Sequence, residues 1–226
     1  VGTPVSAIVI TLNEERNIER CLSSLSFCDE VVLVDSGSSD GTVASARALG
    51  ARVFVEEWKG YVGQKLSAIE KTQHDCVLWI DADERVTPPM AEAIAAALGA
   101  PSDCAGYAFR RRAMFCGRWM DHAWSNEWVL RLFRKDAVEF AEQSVHESAS
   151  VRGCVERLPG VLEHYAYERV EDYVTKAQRY AALAAEDLVE KGGRARAWNL
   201  IVNPLCQWLK LYVLKRGFLD GWQGYR

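Results

Sequence analysis

The sequence lacks the marks of several large protein classes. It has no C-x-x-C spacing, and its seven cysteines (Cys21, Cys28, Cys76, Cys104, Cys116, Cys154 and Cys206) are scattered and odd in number. A disulfide framework or a cysteine-rich zinc site is therefore not expected, and reduced thiols in a cytosolic setting are. Basic excess is missing too: 27 Lys and Arg face 31 Asp and Glu, for a net charge of -4. That excludes nucleic-acid binding through a broad basic surface. No apolar run reaches the length of a transmembrane helix, and no charged and apolar leader precedes the first strand-like segment. No G-x-G-x-x-G follows that strand, which counts against a dinucleotide oxidoreductase.

What is present is an ordinary globular balance, with 49% hydrophobic and 26% charged residues in a chain of 226. That suits one large domain or a domain with an appendage. Short apolar, β-branched runs at 5–11, 30–35, 52–56 and 76–81 alternate with helical patterns at 17–25, 42–49 and 62–71. Continuous apolar runs predict strands buried on both faces, and strand–helix alternation predicts right-handed βαβ units around a parallel sheet. Gly50 is placed to end the second helix in a left-handed cap. A helix is predicted over 88–98. Beyond it, 106–115, 129–133 and 160–164 read as antiparallel strands, and 170–191 reads as a long helix broken by Gly192 and Gly193.

In such sheets, ligands bind beyond the carboxyl ends of the strands. The polar residues expected there form three clusters: Thr11 to Glu15, Asp35 to Gly41, and Asp81 to Glu84. All three should share one rim. Asp81-Ala82-Asp83, a D-x-D sequence at a strand end, offers hard oxygen ligands for magnesium or manganese beside a substrate diphosphate. The bland alternative is a pair of acids that cap the next helix. Asp35 is placed to accept hydrogen bonds from a ribose or base, although its glycine- and serine-rich surroundings also fit a plain turn.

The three clusters together resemble the family 2 glycosyltransferases. The matching text is VITLNE at 9–14, VLVDSGSSDG at 32–41 and LWIDADE at 78–84. The resemblance implies the GT-A fold: a Rossmann-like, mixed and mainly parallel sheet flanked by helices, here with a C-terminal helical tail. It divides the chain into a nucleotide-sugar half (1–103), an acceptor-binding and catalytic half (104–168) and a helical segment (169–226). It also implies a metal-dependent, inverting hexosyl transfer. Thr11, Asn13, Glu14 and Glu15 would lie against the nucleotide, with Asp35, Ser36 and Gly37. Lys65, Asp81 and Ala82 complete the donor set. Asp83, Asp81 and His164 would hold the metal.

A narrower resemblance covers nearly the whole chain. FCGRW (115–119), VLRLFR (129–134), SVHE (144–147), LEHY (162–165) and RGFLDG (216–221) are similar to bacterial lipopolysaccharide-core glucosyltransferases. That implies a donor such as UDP-glucose and a glycan or glycolipid acceptor in the inner core. Transfer into another cell-surface polysaccharide is the alternative. A sugar nucleotidyltransferase is disfavoured, because 11–15 lacks a glycine- and lysine-rich phosphate loop. Glu147 is expected to be the base that deprotonates the acceptor hydroxyl, with Glu127 the runner-up. Glu127 stands where the group usually has Asp.

Arg110, Arg112 and Arg131 could hold an anionic acceptor, since Arg pairs well with phosphate oxygens; alternating arginines solvating one strand face are the bland reading. His146 would orient a phosphate or the base. Trp119, Trp124 and Trp128 are expected to stack on sugar faces. The Trp- and Leu-rich tail from 198 to 219, with Lys210, Lys215 and Arg216, reads either as a helix packed on the domain or as an interfacial amphipathic segment. On the second reading the enzyme works in the cytoplasm at the inner face of the cytoplasmic membrane. The chain stops at Arg226 without an obvious end signal, so the natural protein is expected to continue.

Overall fold

The structure, a computed structural model, describes residues 2–124, 127–141, 148–190, 192–193 and 197–225. Its opening follows the strand–helix alternation: β1 (Val5–Thr11), α1 (Glu15–Ser23), β2 (Glu30–Asp35), α2 (Thr42–Ala48), β3 (Arg52–Val55), α3 (Gly60–Glu70) and β4 (Cys76–Trp79). Then come β5 (Glu84–Val86), α4 (Pro88–Gly99), β6 (Gly106–Phe115), β7 (Arg118–Met120), β8 (Glu127–Arg134), β9 (Val138–Ala141), β10 (Ser148–Val151) and β11 (Val155–Tyr167). The chain closes with α5 (Val170–Glu190), α6 (Ala197–Trp208), a π-helical stretch Leu209–Leu214 and 3-10 turns over Gly217–Tyr225.

The central sheet runs β3-β2-β1-β4-β8-β6-β11-β5, with β7 on β6, and β9 and β10 form a separate antiparallel ribbon. Strands β3, β2, β1 and β4 are parallel to their neighbours. β8 then runs antiparallel to β4, and β5 antiparallel to β11. This is the expected mixed α/β architecture flanked by helices. The apolar runs explain it: Ala7, Ile8, Val9, Val32, Leu33, Val34, Val77 and Leu78 are all buried completely, so both sheet faces are covered. One face packs Val9, Leu33 and Leu78 against Ile18, Leu22 and Ala46 of the helices, and the other packs Ile8, Val32 and Val77 against Ala68 and Ile69 of α3. Gly50 has φ +83°, the left-handed cap read from the sequence. Gly160 is needed for a different reason: at φ +102° a Cβ there would stand 2.5 Å from the Met90 Cα.

Two compact units result. The first takes in 2–111, 128–141 and 148–164 among the described residues, and the second takes in 112–124, 127 and 165–225 apart from the undescribed positions. The second unit has its own small core of Phe115, Met120 and Ala123, joined by Trp124, Tyr167 and Tyr173. There, buried Asp220 accepts backbone N–H bonds from Asp121, His122 and Ala123 at 3.0, 3.1 and 2.8 Å. The 3-10 turns of the RGFLDG sequence are thereby tied to the loop after β7. Among the described residues, no helix is long and apolar enough to cross a membrane.

Candidate active site

Strand register assembles the rim in the first unit. Parallel pairing sets Thr11 opposite Asp35 and Ile8 opposite Trp79, so β1, β2 and β4 end at one edge. Antiparallel pairing of β8 sets Leu78 opposite Leu132, which brings Arg131 to the level of Trp79 one step on. β5 sets Glu84 opposite His164 of β11.

At the first turn the carboxylate of Asp35 is fully buried. It accepts hydrogen bonds from Thr11 Oγ1 (2.9 Å), the Gly37 and Ser38 amides (3.0 and 2.7 Å) and Ser38 Oγ (2.5 Å). Ser38 Oγ in turn accepts from the Asn13 amide at 2.7 Å, and the Ser39 amide donates to Asn13 Oδ1 at 2.9 Å. The Glu14 amide donates to Thr42 Oγ1 (2.8 Å) and the Glu15 amide to Asp40 (3.2 Å). The first two clusters are thus one knitted unit. Gln64 of α3, unremarked in the sequence, joins it by donating to Ser36 Oγ at 3.1 Å. Exposed Gly37, at φ +91°, makes the turn possible.

The second turn is ionic. Asp81 takes one hydrogen bond from the Trp79 indole (3.0 Å) and one from Arg131 (2.8 Å). Arg131 also donates to Glu84 at 2.6 Å, and the Asp81 amide donates to the other oxygen of Glu84 at 3.1 Å. The Arg131 and Glu84 side chains are almost wholly buried, whereas Asp81 is one-third exposed. Trp79 carries two cations: Lys65 Nζ lies 3.7 Å and the Arg131 guanidinium 4.2 Å from its ring. Burial pushes the Asp81 carboxyl upward, but Arg131 and then Lys65 outweigh it and hold the group well below the usual carboxylate range. Glu84 shifts the opposite way, because burial, with Asp81 nearby, outweighs Arg131.

Asp83 turns elsewhere. Its Oδ2 is 3.2 Å from His164 Nε2, with both side chains about one-fifth exposed. Burial works against a charged His164, yet Asp83 overcomes it and raises the imidazole pKa. A carboxylate oxygen and an imidazole nitrogen that meet within reach of solvent are a donor pair suited to a first-row divalent cation. Among the described residues no cluster of three or more His, Cys, Asp or Glu side chains surrounds a single cation position. Asp81, expected as a second ligand, is directed to Trp79 and Arg131 instead.

The remaining expectations fall in several places. Lys65 is buried rather than a solvated helix-face lysine. Arg131, expected to meet an acceptor, is 3% exposed and committed to Asp81 and Glu84, so it is a correction: the cation lies in the interior under the rim. Arg110 of β6 is exposed. Trp128 is 38% exposed, with Arg157 5.0 Å over its ring. In the second unit, Arg112 is ion-paired to Asp121 and lies 5.2 Å over Trp119, which meets Tyr165 edge-on. Trp124 packs among Phe115, Tyr167 and Tyr173 in that unit's core. Glu127 is exposed at the start of β8. Glu147 and His146 lie outside the described residues. Sequence reasoning missed Trp79 and Gln64, and it placed Glu84 on the rim with the acidic pair without giving it a role of its own.

Comparison with known proteins bears on this arrangement. The family described as "Glycosyl transferase family 2" matches residues 6–153. The chain is 34% identical to the lipopolysaccharide core biosynthesis glycosyltransferase LpsC of Rhizobium meliloti, over 98% of this chain and 85% of that protein. It is 32% identical to an uncharacterized glycosyltransferase of Rickettsia typhi, over 98% of this chain and 80% of that one. Among solved structures, glucosyl-3-phosphoglycerate synthase of Mycobacterium tuberculosis, in complex with Mn2+, UDP and glucosyl-3-phosphoglycerate, matches with TM-score 0.42 and 27% identity, over 49% of this chain and 45% of that one. The two acidic turns of the rim, from Thr11 to Gly41 and from Trp79 to Glu84, lie inside residues 6–153, His164 lies beyond them, and the chain belongs to glycosyltransferase family 2.

Proposed function

We propose that this glycosyltransferase moves a hexose, glucose in the first instance, from a nucleotide-sugar to a lipopolysaccharide inner-core acceptor with inversion at the anomeric carbon. The observation that carries the proposal is the meeting of Asp83 with His164 beside the Asp81–Arg131–Glu84 network, beyond the carboxyl ends of β1, β2 and β4. The acceptor class is supported by LpsC, whose own name places it in core biosynthesis and which is similar over nearly the whole chain. The sugar and the inversion rest on the sequence resemblance.

Asp83 and His164 would hold a magnesium or manganese ion, with donor phosphates completing its shell. When bound, the ion neutralises charge that develops on the leaving diphosphate. Thr11, Asn13, Glu14 and Glu15, with the Asp35–Gly37 turn, form the nucleotide side, and Asp81 stands ready for a ribose hydroxyl. Lys65 and Arg131 keep Asp81 ionised and oriented. Glu147 takes the proton from the acceptor hydroxyl as it attacks, and Glu127 is the second choice for that role. Arg110, Arg112, Trp119, Trp128 and His146 are assigned to the acceptor, whereas Trp124 belongs to the core of the second unit.

Contact with an anionic membrane surface is part of the same reading. Trp198, Ile201, Leu205, Leu209, Leu214 and Trp222 are all large and about half or more exposed, and Lys210, Lys215 and Arg216 accompany them. The reading is tested by a donor panel in calorimetry with manganese, followed by product analysis with a core oligosaccharide. Release of nucleoside diphosphate and an inverted anomeric proton signal are expected. Release of pyrophosphate would transfer the chain to the nucleotidyltransferases. Flotation with anionic vesicles at low salt tests the tail, and a protein that stays unbound would end the membrane assignment.

A further inference from the structure

The absence of a C-x-x-C spacing hides a thiol pair that only the fold creates. Cys104, just before β6, and Cys154, just before β11, have their Sγ atoms 2.8 Å apart although 50 positions separate them. The backbone holds them there. The amides of Ala105 and Gly106 both donate to the Cys154 carbonyl oxygen, at 2.9 and 3.2 Å. The two chains approach so closely that a Cβ on Gly153 would stand 2.9 Å from the Ala105 Cβ. Cys154 is exposed and Cys104 half-buried, so a small reagent can reach the pair.

We propose that Cys104 and Cys154 form a reversible thiol–disulfide couple that staples the entry of β6 to the entry of β11. The partner reagent is a low-molecular-weight disulfide. One protein thiolate attacks a sulfur of that disulfide and expels half of it as a thiolate; the second protein thiolate then attacks the protein-bound sulfur and expels the other half. Two protein S–H bonds and one small-molecule S–S bond are lost, and one protein S–S bond and two small-molecule S–H bonds are gained. The loop so closed contains β6 to β10, with Arg110, Trp128 and Arg131 on it. Closing a loop of that length restricts the unfolded chain, and the folded chain needs little adjustment because the sulfurs already touch.

The experiment treats the full chain with excess oxidised glutathione, blocks remaining thiols, and maps the peptides by mass spectrometry without reduction. A peptide linking Cys104 to Cys154 is expected as the dominant cross-link, with a Tm higher by roughly 5–10 °C that reductant removes. Cys206→Ser should leave both results intact, whereas Cys104→Ser and Cys154→Ser should each abolish them. If either of those variants does not fold, the reduced wild-type chain serves as the comparator. Glutathione left attached at Cys154 without the cross-link, linkage spread over other cysteines, or a cross-linked chain with unchanged Tm would each overturn the proposal.

Discussion

The two acidic turns of the rim look alike in sequence and differ in what they leave available. Asp35 is saturated by its own chain: four hydrogen bonds from Thr11, Gly37 and Ser38 consume both oxygens in the interior. It holds the turn in shape, and the nucleotide side of the proposed site is built on that turn. The second turn keeps charge in play. Asp81 is held by a buried cation but stays one-third exposed, and Asp83 meets the His164 imidazole at 3.2 Å. A carboxylate satisfied by neutral amides and hydroxyls stabilises a fold, whereas one balanced against a cationic neighbour can exchange that neighbour for a substrate or a metal.

The contrast breaks most visibly at Asp83. Asp83→Asn is expected to lower kcat by about 10²–10³-fold while Tm stays within a few degrees, because under the proposed function the lost interaction serves the leaving diphosphate and not the core. Steady-state kinetics with manganese and a thermal melt check both halves. Full activity in that variant would return Asp83 to the scaffold class. Arg131→Met comes next and should behave oppositely. It leaves the buried Glu84 carboxylate with only the more distant Arg111, at 3.6 Å, and takes the ion-pair partner from Asp81, so a loss of about 3–5 kcal/mol in stability is expected. Urea unfolding measures it, and a loss below about 1 kcal/mol would mean that the network is not cooperative. Pairing Arg131→Met with Glu84→Gln sharpens the point: the double variant should be less unstable than the sum of the two.

The parallel half of the sheet was legible because burial on both faces forces continuous β-branched runs, and the bounds of β1 and β2 coincide with those runs. β5 was not legible. Three residues, Glu84–Val86, carry no period, and they are a strand only because β11 lies alongside. That pairing delivers His164 to Asp83, so the geometry of the candidate metal pair was hidden while its members were named. Arg131 was misread for a related reason. A strand of the pattern Glu-Trp-Val-Leu-Arg-Leu-Phe-Arg from Glu127 to Arg134 does not say which arginine faces inward; the antiparallel register with β4 decides it. Trp124 likewise entered a core whose other members, Phe115, Tyr167 and Tyr173, are remote in sequence. The thiol pair was invisible for the same cause, since long-range register leaves no local trace.

A smaller effect is expected at Asp35. Asp35→Asn keeps the shape and two acceptor positions at most, and introduces a donor facing Thr11, Gly37 and Ser38 donors. A stability loss of about 1–3 kcal/mol should appear in urea unfolding. Donor affinity measured by calorimetry on the folded variant should fall less than it does in Asp83→Asn. The reverse order would make the first turn the chemical one.

The smallest effect separates buried from exposed ion networks in the same unit. Glu56 is bridged by Lys71 at 2.6 Å and Lys59 at 2.9 Å and accepts from Ser67 Oγ at 2.6 Å. The Lys71 and Ser67 hydrogen bonds, with Lys59, hold its carboxyl down at about 2. A depressed carboxylate stabilises the fold above its unfolded pKa of about 4.5, and that contribution is lost as pH falls from there through about 2. Because solvent reaches Lys59 and screens the cluster, Glu56→Gln should cost only about 0.5–1 kcal/mol at pH 7. Unfolding curves of the wild type and Glu56→Gln should converge as the pH is lowered through that window. A gap that persists below it would mean that Glu56 acts through packing, and the cluster would then belong with the buried network around Arg131 and not opposite to it.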